Sequence, residues 1–122
     1  MRAVTIILLL SLCSVSYSQS HDLVLGRALP GDLILYKVNE WKYGFPLLVR
    51  TSVIEYPELG QSNFAIITAI VIIDNNYDGH GGYPVVEAGG VGQDFVKIKL
   101  ESERSYGFNF TITIYGRNRI FI

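Results

Sequence analysis

One cysteine, one methionine and two histidines are all that 122 residues offer in soft or metal-binding side chains other than carboxylates. Cys13 and Met1 both fall within the first eighteen residues. Downstream of them there is no disulfide, no thiol chemistry and no thioether to oxidise. Small secreted domains commonly depend on disulfides, so this chain must be held by packing alone. His21 lies near the start and His80 inside a glycine-rich stretch, and neither belongs to a histidine pair or a nucleophile-elbow motif. No catalytic residue is assigned, since a triad or a zinc site needs parts that are missing. A paired-carboxylate arrangement would have to draw on acids as distant as Asp32 and Glu87. No cofactor-binding residues are assigned either.

Long apolar runs are lacking too. "FAIITAIVII", residues 64–73, is the longest outside the first twenty residues, well short of the ~20 residues that span a bilayer. Positive charge is neither abundant nor concentrated. The formal net charge is −1, and the closest basic groupings are Lys97/Lys99 and Arg117/Arg119. Phosphate backbones are held by clustered cations, so direct nucleic-acid binding is not expected.

What is present begins with "MRAVTIILLLSLCSVSYSQS". Arg2 is a one-residue basic region, Ala3 to Leu12 an apolar core broken only by Thr5 and Ser11, and Ser16 and Ser18 are small residues two apart. That is the layout of a secretory signal cleaved after Ser18. The expected organisation is a signal peptide over 1–18 and a single domain over 19–122, secreted and extracellular, with no membrane span after cleavage.

Beyond the leader, short runs rich in branched and aromatic residues follow one another: 32–38, 46–56, 64–73, 83–88, 94–102 and 108–115. Gly, Pro, Asn and Asp clusters separate them. This spacing predicts an all-β fold, an antiparallel sandwich or barrel of about six or seven short strands. Val96, Ile98 and Leu100 alternate with Lys97, Lys99 and Glu101; Phe108, Phe110, Ile112 and Ile114 alternate with Asn109, Thr111, Thr113 and Tyr115. The first set of each belongs on the core face and the second in solvent. Residues 65–73 are apolar at both parities, which predicts an interior strand covered on both faces.

"GHGGYPVVEAGGVGQDF", residues 79–95, holds half of the chain's 12 glycines. A phosphate loop opens a helix, whereas Gly89, Gly90 and Gly92 lead into an alternating strand pattern. These glycines read as hairpin punctuation. "DNNYDG" places Asp74, Asn76 and Asp78 at alternate positions before Gly79, half of a calcium-loop pattern. Val85 stands where the closing carboxylate belongs, and Glu87 is two residues late. An Asn/Asp-rich turn explains the stretch as well. Asn109-Phe110-Thr111 is the only N-glycosylation sequon, meaningful for a secreted chain.

"YKVNEWKYGF" concentrates aromatic residues, with Trp41, Tyr43 and Phe45 at alternate positions. They are a possible binding surface for a protein or a small apolar ligand. The competing role is closure of one end of the core, which general burial tendencies favour.

The ordered set "GD" at Gly31-Asp32, "EYP" at Glu55 to Pro57, "IID" ending at Asp74, "GG" at Gly81-Gly82, "GGVG" at Gly89 to Gly92 and "TIYG" at Thr113 to Gly116 resembles the insect multiprotein bridging factor 2 family over nearly the whole chain past the leader. The resemblance implies either of two roles. Many relatives are small secreted proteins of saliva or other body fluids. The founding member is a transcriptional coactivator that bridges a nuclear receptor and the general transcription machinery through protein contacts. The family supplies no catalytic residues. This chain departs from a nuclear role by its leader and its lack of a basic cluster. It also extends past "TIYG" into "RNRIFI", whose Ile120, Phe121 and Ile122 require burial or a partner.

Overall fold

The computed structural model describes residues 21–58, 65–76 and 80–118. Seven strands and no helix are found among them: β1 (Leu23–Gly26), β2 (Leu33–Lys42), β3 (Thr51–Tyr56), β4 (Ala65–Asp74), β5 (Tyr83–Gly89), β6 (Val96–Glu101) and β7 (Phe108–Asn118). They form a four-stranded sheet in the order β1-β4-β7-β2 and a three-stranded sheet in the order β3-β6-β5. Every pairing is antiparallel. The all-β expectation holds, and the architecture is the sandwich.

The alternating sets meet between the layers. Val96, Ile98 and Leu100 of β6 face Phe108, Phe110, Ile112 and Ile114 of β7, all at most 2% exposed. Burying such side chains contributes about 1.5–3 kcal/mol each, which is how the fold dispenses with disulfides. Gly89, Gly90 and Gly92 have φ of 68°, 119° and 89° and turn the chain from β5 into β6, the punctuation expected of them. Their loop also reaches the opposite sheet. Gly92 N–H donates to Ile67 O (2.8 Å) and Ile67 N–H to Gln93 O (2.8 Å).

The run over 65–73 corrects its sequence reading. A bulge between Ile67 and Ala69 swaps which parity faces the core. Ile67 points inward before it; Ile70 and Ile72 do so after it, all fully buried. Both parities are apolar because the inward set changes midway, not because both faces are covered: Ile73 on the outer face is exposed. The interior position is correct, since β4 lies between β1 and β7.

Asn109, Thr111 and Thr113 share the outer face of β7, as the register requires. They do not stand free in solvent. Asn109 and Thr111 are half-buried and Thr113 is buried, because β7 is flanked by β2 and β4. Two boundaries also move. β1 lies where no strand was expected, and the segment from Pro46 to Arg50 is loop, so β3 begins only at Thr51.

Candidate functional site

The strand directions place the connections at two ends. At one end lie the β1–β2 turn, the β5–β6 hairpin and the close of β7. At the other lie the 43–50 connection between β2 and β3, the 102–107 connection between β6 and β7, and the start of β5.

The 43–50 loop is the candidate site. Trp41 and Tyr43 pack edge to face at 4.9 Å. Tyr43 is 77% and Leu47 73% exposed, and Trp41, Phe45, Leu48 and Val49 are exposed beside them. This overturns the expectation that the aromatic run closes the core. β2 continues to Lys42, carrying Trp41 on the outer parity of a sheet face. The chain then leaves the sandwich with its aromatics pointing out, while Phe108 and Phe110 fill the core beneath.

The loop is exposed but not loose. Leu48 N–H donates to Phe45 O (3.0 Å), Ser105 N–H to Leu48 O (2.8 Å) and Ser102 N–H to Arg50 O (2.8 Å). Leu47 N–H donates to Ser105 Oγ (2.8 Å) and Arg50 N–H to Ser102 Oγ (2.7 Å). Two guanidiniums complete the scaffold. Arg50 Nη1–H donates to Tyr43 O (3.2 Å) and Arg104 Nη1–H to Leu47 O (3.0 Å). Close approach of the two connections requires glycine. A Cβ at Gly44 would lie 2.7 Å from Ser105 O, and one at Gly107 2.0 Å from Lys42 O. Leu47 adopts φ 65°, a left-handed conformation that costs a bulky residue energy.

Charged groups of both signs surround the loop. Glu103 lies 3.3 Å from His80 Nδ1, whose ring stacks on Tyr106 at 4.0 Å. Glu101 pairs with Lys99 (3.3 Å), and Glu40 accepts from Ser52 Oγ. Among the described residues, neither Arg50 nor Arg104 forms an ion pair. Beside Trp41 and Tyr43 lies a shallow cavity of about 220 Å³, also lined by Asn76, Gly107 and Asn109.

The opposite end spends its charge inward. The Asp32 side chain is 1% exposed and accepts from Leu29 N–H (2.8 Å), Thr68 Oγ1 (2.8 Å) and Arg117 Nε and Nη2 (both 2.9 Å). The Leu29 amide above all, then Thr68 and Arg117, hold its carboxyl below the ordinary value against the opposing effect of burial. A cleft of about 650 Å³ opens there, lined by Leu29, Pro30, Gly31, Leu33, Arg117 and Asn118. Among the described residues that line it, the one guanidinium, Arg117, is already committed to Asp32.

The remaining sequence candidates fall as follows. Asp74 is buried; its Oδ1 accepts from Asn76 N–H (2.9 Å), and its carboxylate abuts Gly81, where a Cβ would lie 1.9 Å from Oδ2. Asp74 and Asn76 are thus together in a turn, while Asp78 lies outside the described residues, as do the leader and Ile120 to Ile122. Asp32 lies just before β2 of one sheet and Glu87 within β5 of the other. Asn109 Oδ1 accepts from Asn39 Nδ2 (2.7 Å) and Asn75 Nδ2 (3.1 Å), and Asn75 Nδ2 also reaches Thr111 Oγ1 (2.9 Å). Burial raises Tyr36 and Tyr56 above the ordinary tyrosine range, with Glu58 and Glu40 adding to the first. No helix of the described residues is long and apolar enough to cross a membrane.

The family model described as "Transcription activator MBF2" matches residues 25–116, which take in both ends of the sandwich. The chain belongs to the MBF2 family. A relative in Bombus ignitus, described as a probable salivary secreted peptide, is 34% identical over 105 residues, covering 82% of this chain and 72% of its own length. No solved structure matches. Within this MBF2 chain the motifs that carried the resemblance sit in turns and close contacts. Gly31-Asp32 anchors the Arg117 network. Asp74 meets Gly81. "GGVG" clamps onto β4, and Gly116 closes "TIYG" against Leu35. Those motifs did not reveal Leu47, Leu48, Val49, Arg50 and Arg104. Their signal was "FPLLV" directly after Gly44, a run with no alternation that was absorbed into the following strand.

Proposed function

We propose that this MBF2-family chain is a secreted, non-enzymatic protein that works by binding, and that the 43–50 loop with Trp41 is its contact surface. The observation that carries this reading is the loop itself. Consecutive apolar side chains project outward from a backbone whose polar groups are held by Ser102, Ser105, Arg50 and Arg104. Such patches are interaction surfaces in soluble proteins, and fixing the backbone beforehand lowers the entropy lost on binding. Side chains as exposed as Tyr43 and Leu47 suit a partner's surface better than a small apolar ligand, which needs an enclosing pocket.

Secretion is supported by the leader-like first eighteen residues and by the salivary relative. The absence of catalysis is supported by how the titratable groups are spent. Asp32 is locked to Arg117. His21 accepts from Gly82 N–H (3.1 Å) and stacks on Tyr83. His80 lies between Glu103 and Tyr106. An N-glycan at Asn109 fits the same reading. It would be attached through Nδ2, whereas the bonds from Asn39 and Asn75 use Oδ1.

A second reading draws on the family description itself: a transcriptional coactivator acting by protein contacts inside cells. Expression of the full chain in insect cells separates the two. The expected result is protein in the medium beginning at or near Gln19, with a mass lowered by peptide-N-glycosidase. Full-length protein in the nucleus, still carrying Arg2, would establish the coactivator reading instead.

A further inference from the structure

The geometry points to an anionic phospholipid membrane surface as the partner of the 43–50 loop; this rests on the reading of that loop as a contact surface. Three independent features converge. The first is the backbone. Unpaired peptide groups are costly wherever a bilayer excludes water, so a loop that seats against lipid gains from having many of them paired internally. Here the Tyr43, Phe45, Leu47, Leu48 and Arg50 carbonyls and the Leu47, Leu48 and Arg50 amides already have partners. The second is the kind of side chain. Trp41 and Tyr43 are the amphipathic rings that settle at headgroup depth, and Phe45, Leu47 and Leu48 supply the apolar depth beyond them.

The third is charge. Residues 41–50 contain Lys42 and Arg50 and no acid, and Arg104 stands against Leu47 O. Neither arginine forms an ion pair among the described residues; Glu101 is paired with Lys99, while Glu40 and Glu103 contact Ser52 and His80 at the edges of the loop. The chain as a whole is net negative, whereas residues 41–50 alone carry two basic side chains and no acidic one. Two guanidiniums bordering an apolar loop complement a layer of lipid phosphates. A protein partner would be served by the same aromatics, but it has no need of guanidiniums that border the apolar residues.

Trp41 is the chain's only tryptophan and reports directly. Full chain purified from insect-cell medium is mixed with vesicles of phosphatidylcholine alone, or with part of it replaced by anionic phosphatidylserine. Co-sedimentation and a blue shift of Trp41 emission are expected with the anionic vesicles, both weakened by high salt. Arg50→Gln and Arg104→Gln should each lower partitioning about fivefold. Leu47→Asp should abolish it, with circular dichroism confirming a native fold. Phe45→Ser serves as a second apolar variant should Leu47→Asp fail to fold. Absence of shift and sedimentation from the folded wild-type protein would overturn the proposal, as would binding that ignores Leu47 and Phe45.

A photo-crosslinker at position 45 then decides what falls. If vesicles fail but a secreted protein crosslinks to the wild-type loop and not to Leu47→Asp, the lipid assignment is overturned and the contact-surface reading stands. A concentration-dependent dimer broken by Leu47→Asp would likewise replace lipid by a second copy. If vesicles, protein and self-association all fail, both inferences fall.

Discussion

The two ends of the sandwich use arginine in opposite ways. At the β1–β2 end Arg117 turns inward and is neutralised by a carboxylate that Leu29 and Thr68 also hold. At the 43–50 end Arg50 and Arg104 each give an N–H to a loop carbonyl and keep their charge. Apolar side chains are exposed at both ends; Leu29, Leu33 and Phe95 are examples at the first. There they are divided between the β1–β2 stretch, with Leu29, Leu33 and Ile34, and the β5–β6 hairpin, with Val91 and Phe95, whereas at the second they are consecutive in one braced loop. The lesson concerns what is being stabilised. One end joins β2, β4 and β7, and the other holds a short loop in a shape that the core does not need.

The comparison is broken most severely through what the ends share. Phe110→Ala, at a fully buried position, should cost about 3–5 kcal/mol in denaturant titration, and both ends should be lost in one transition. A smaller loss confined to the β1–β2 end is expected from Gly116→Ala. Its Cβ would lie 2.3 Å from Leu35 Cδ1 and 2.7 Å from Ile66 O, overpacking that costs about 1–3 kcal/mol.

Asp32 sharpens the contrast through pH. Its folded carboxyl titrates below the ordinary 3.8. The stability it contributes is therefore fully present above that value and lost as pH falls through the lower, folded one. Denaturation midpoints of Asp32→Asn should lie below wild type near neutrality and converge with it under acid; a constant offset at every pH would contradict the Arg117 network. The smallest effect belongs to the loop. Leu47→Gly should leave stability within about 1 kcal/mol of wild type, because relief of φ 65° offsets the entropy that glycine adds to the unfolded chain.

Much of the sandwich was legible in the residues. Alternation in β6 and β7 fixed their inward faces, and the glycines before Val96 marked the hairpin. What escaped has identifiable causes. The parity switch in β4 is set by a bulge, and a run of uniformly apolar residues carries no mark of one. β1 is only four residues long, too short for a period to show. Thr113 is buried by strands on either side, a consequence of sheet order and not of its own alternation. The aromatic loop was visible as composition but misread as end-packing, because its exposure depends on Ser102, Ser105 and Arg104, some sixty residues away in sequence. The family motifs were legible for the same reason that they are silent about the site: they mark turns and close contacts.

Thermal unfolding of the chain with Tyr43, Phe45 and Leu47 all replaced by serine, with and without anionic vesicles, tests the central claim most directly. Exposed positions away from the core shift stability little, so the variant alone should unfold within about 2 °C of wild type. Vesicles should raise the wild-type midpoint through preferential binding to the folded state and leave the variant unmoved. A variant that unfolds as early as Phe110→Ala, or one that vesicles stabilise as much as wild type, would contradict the account.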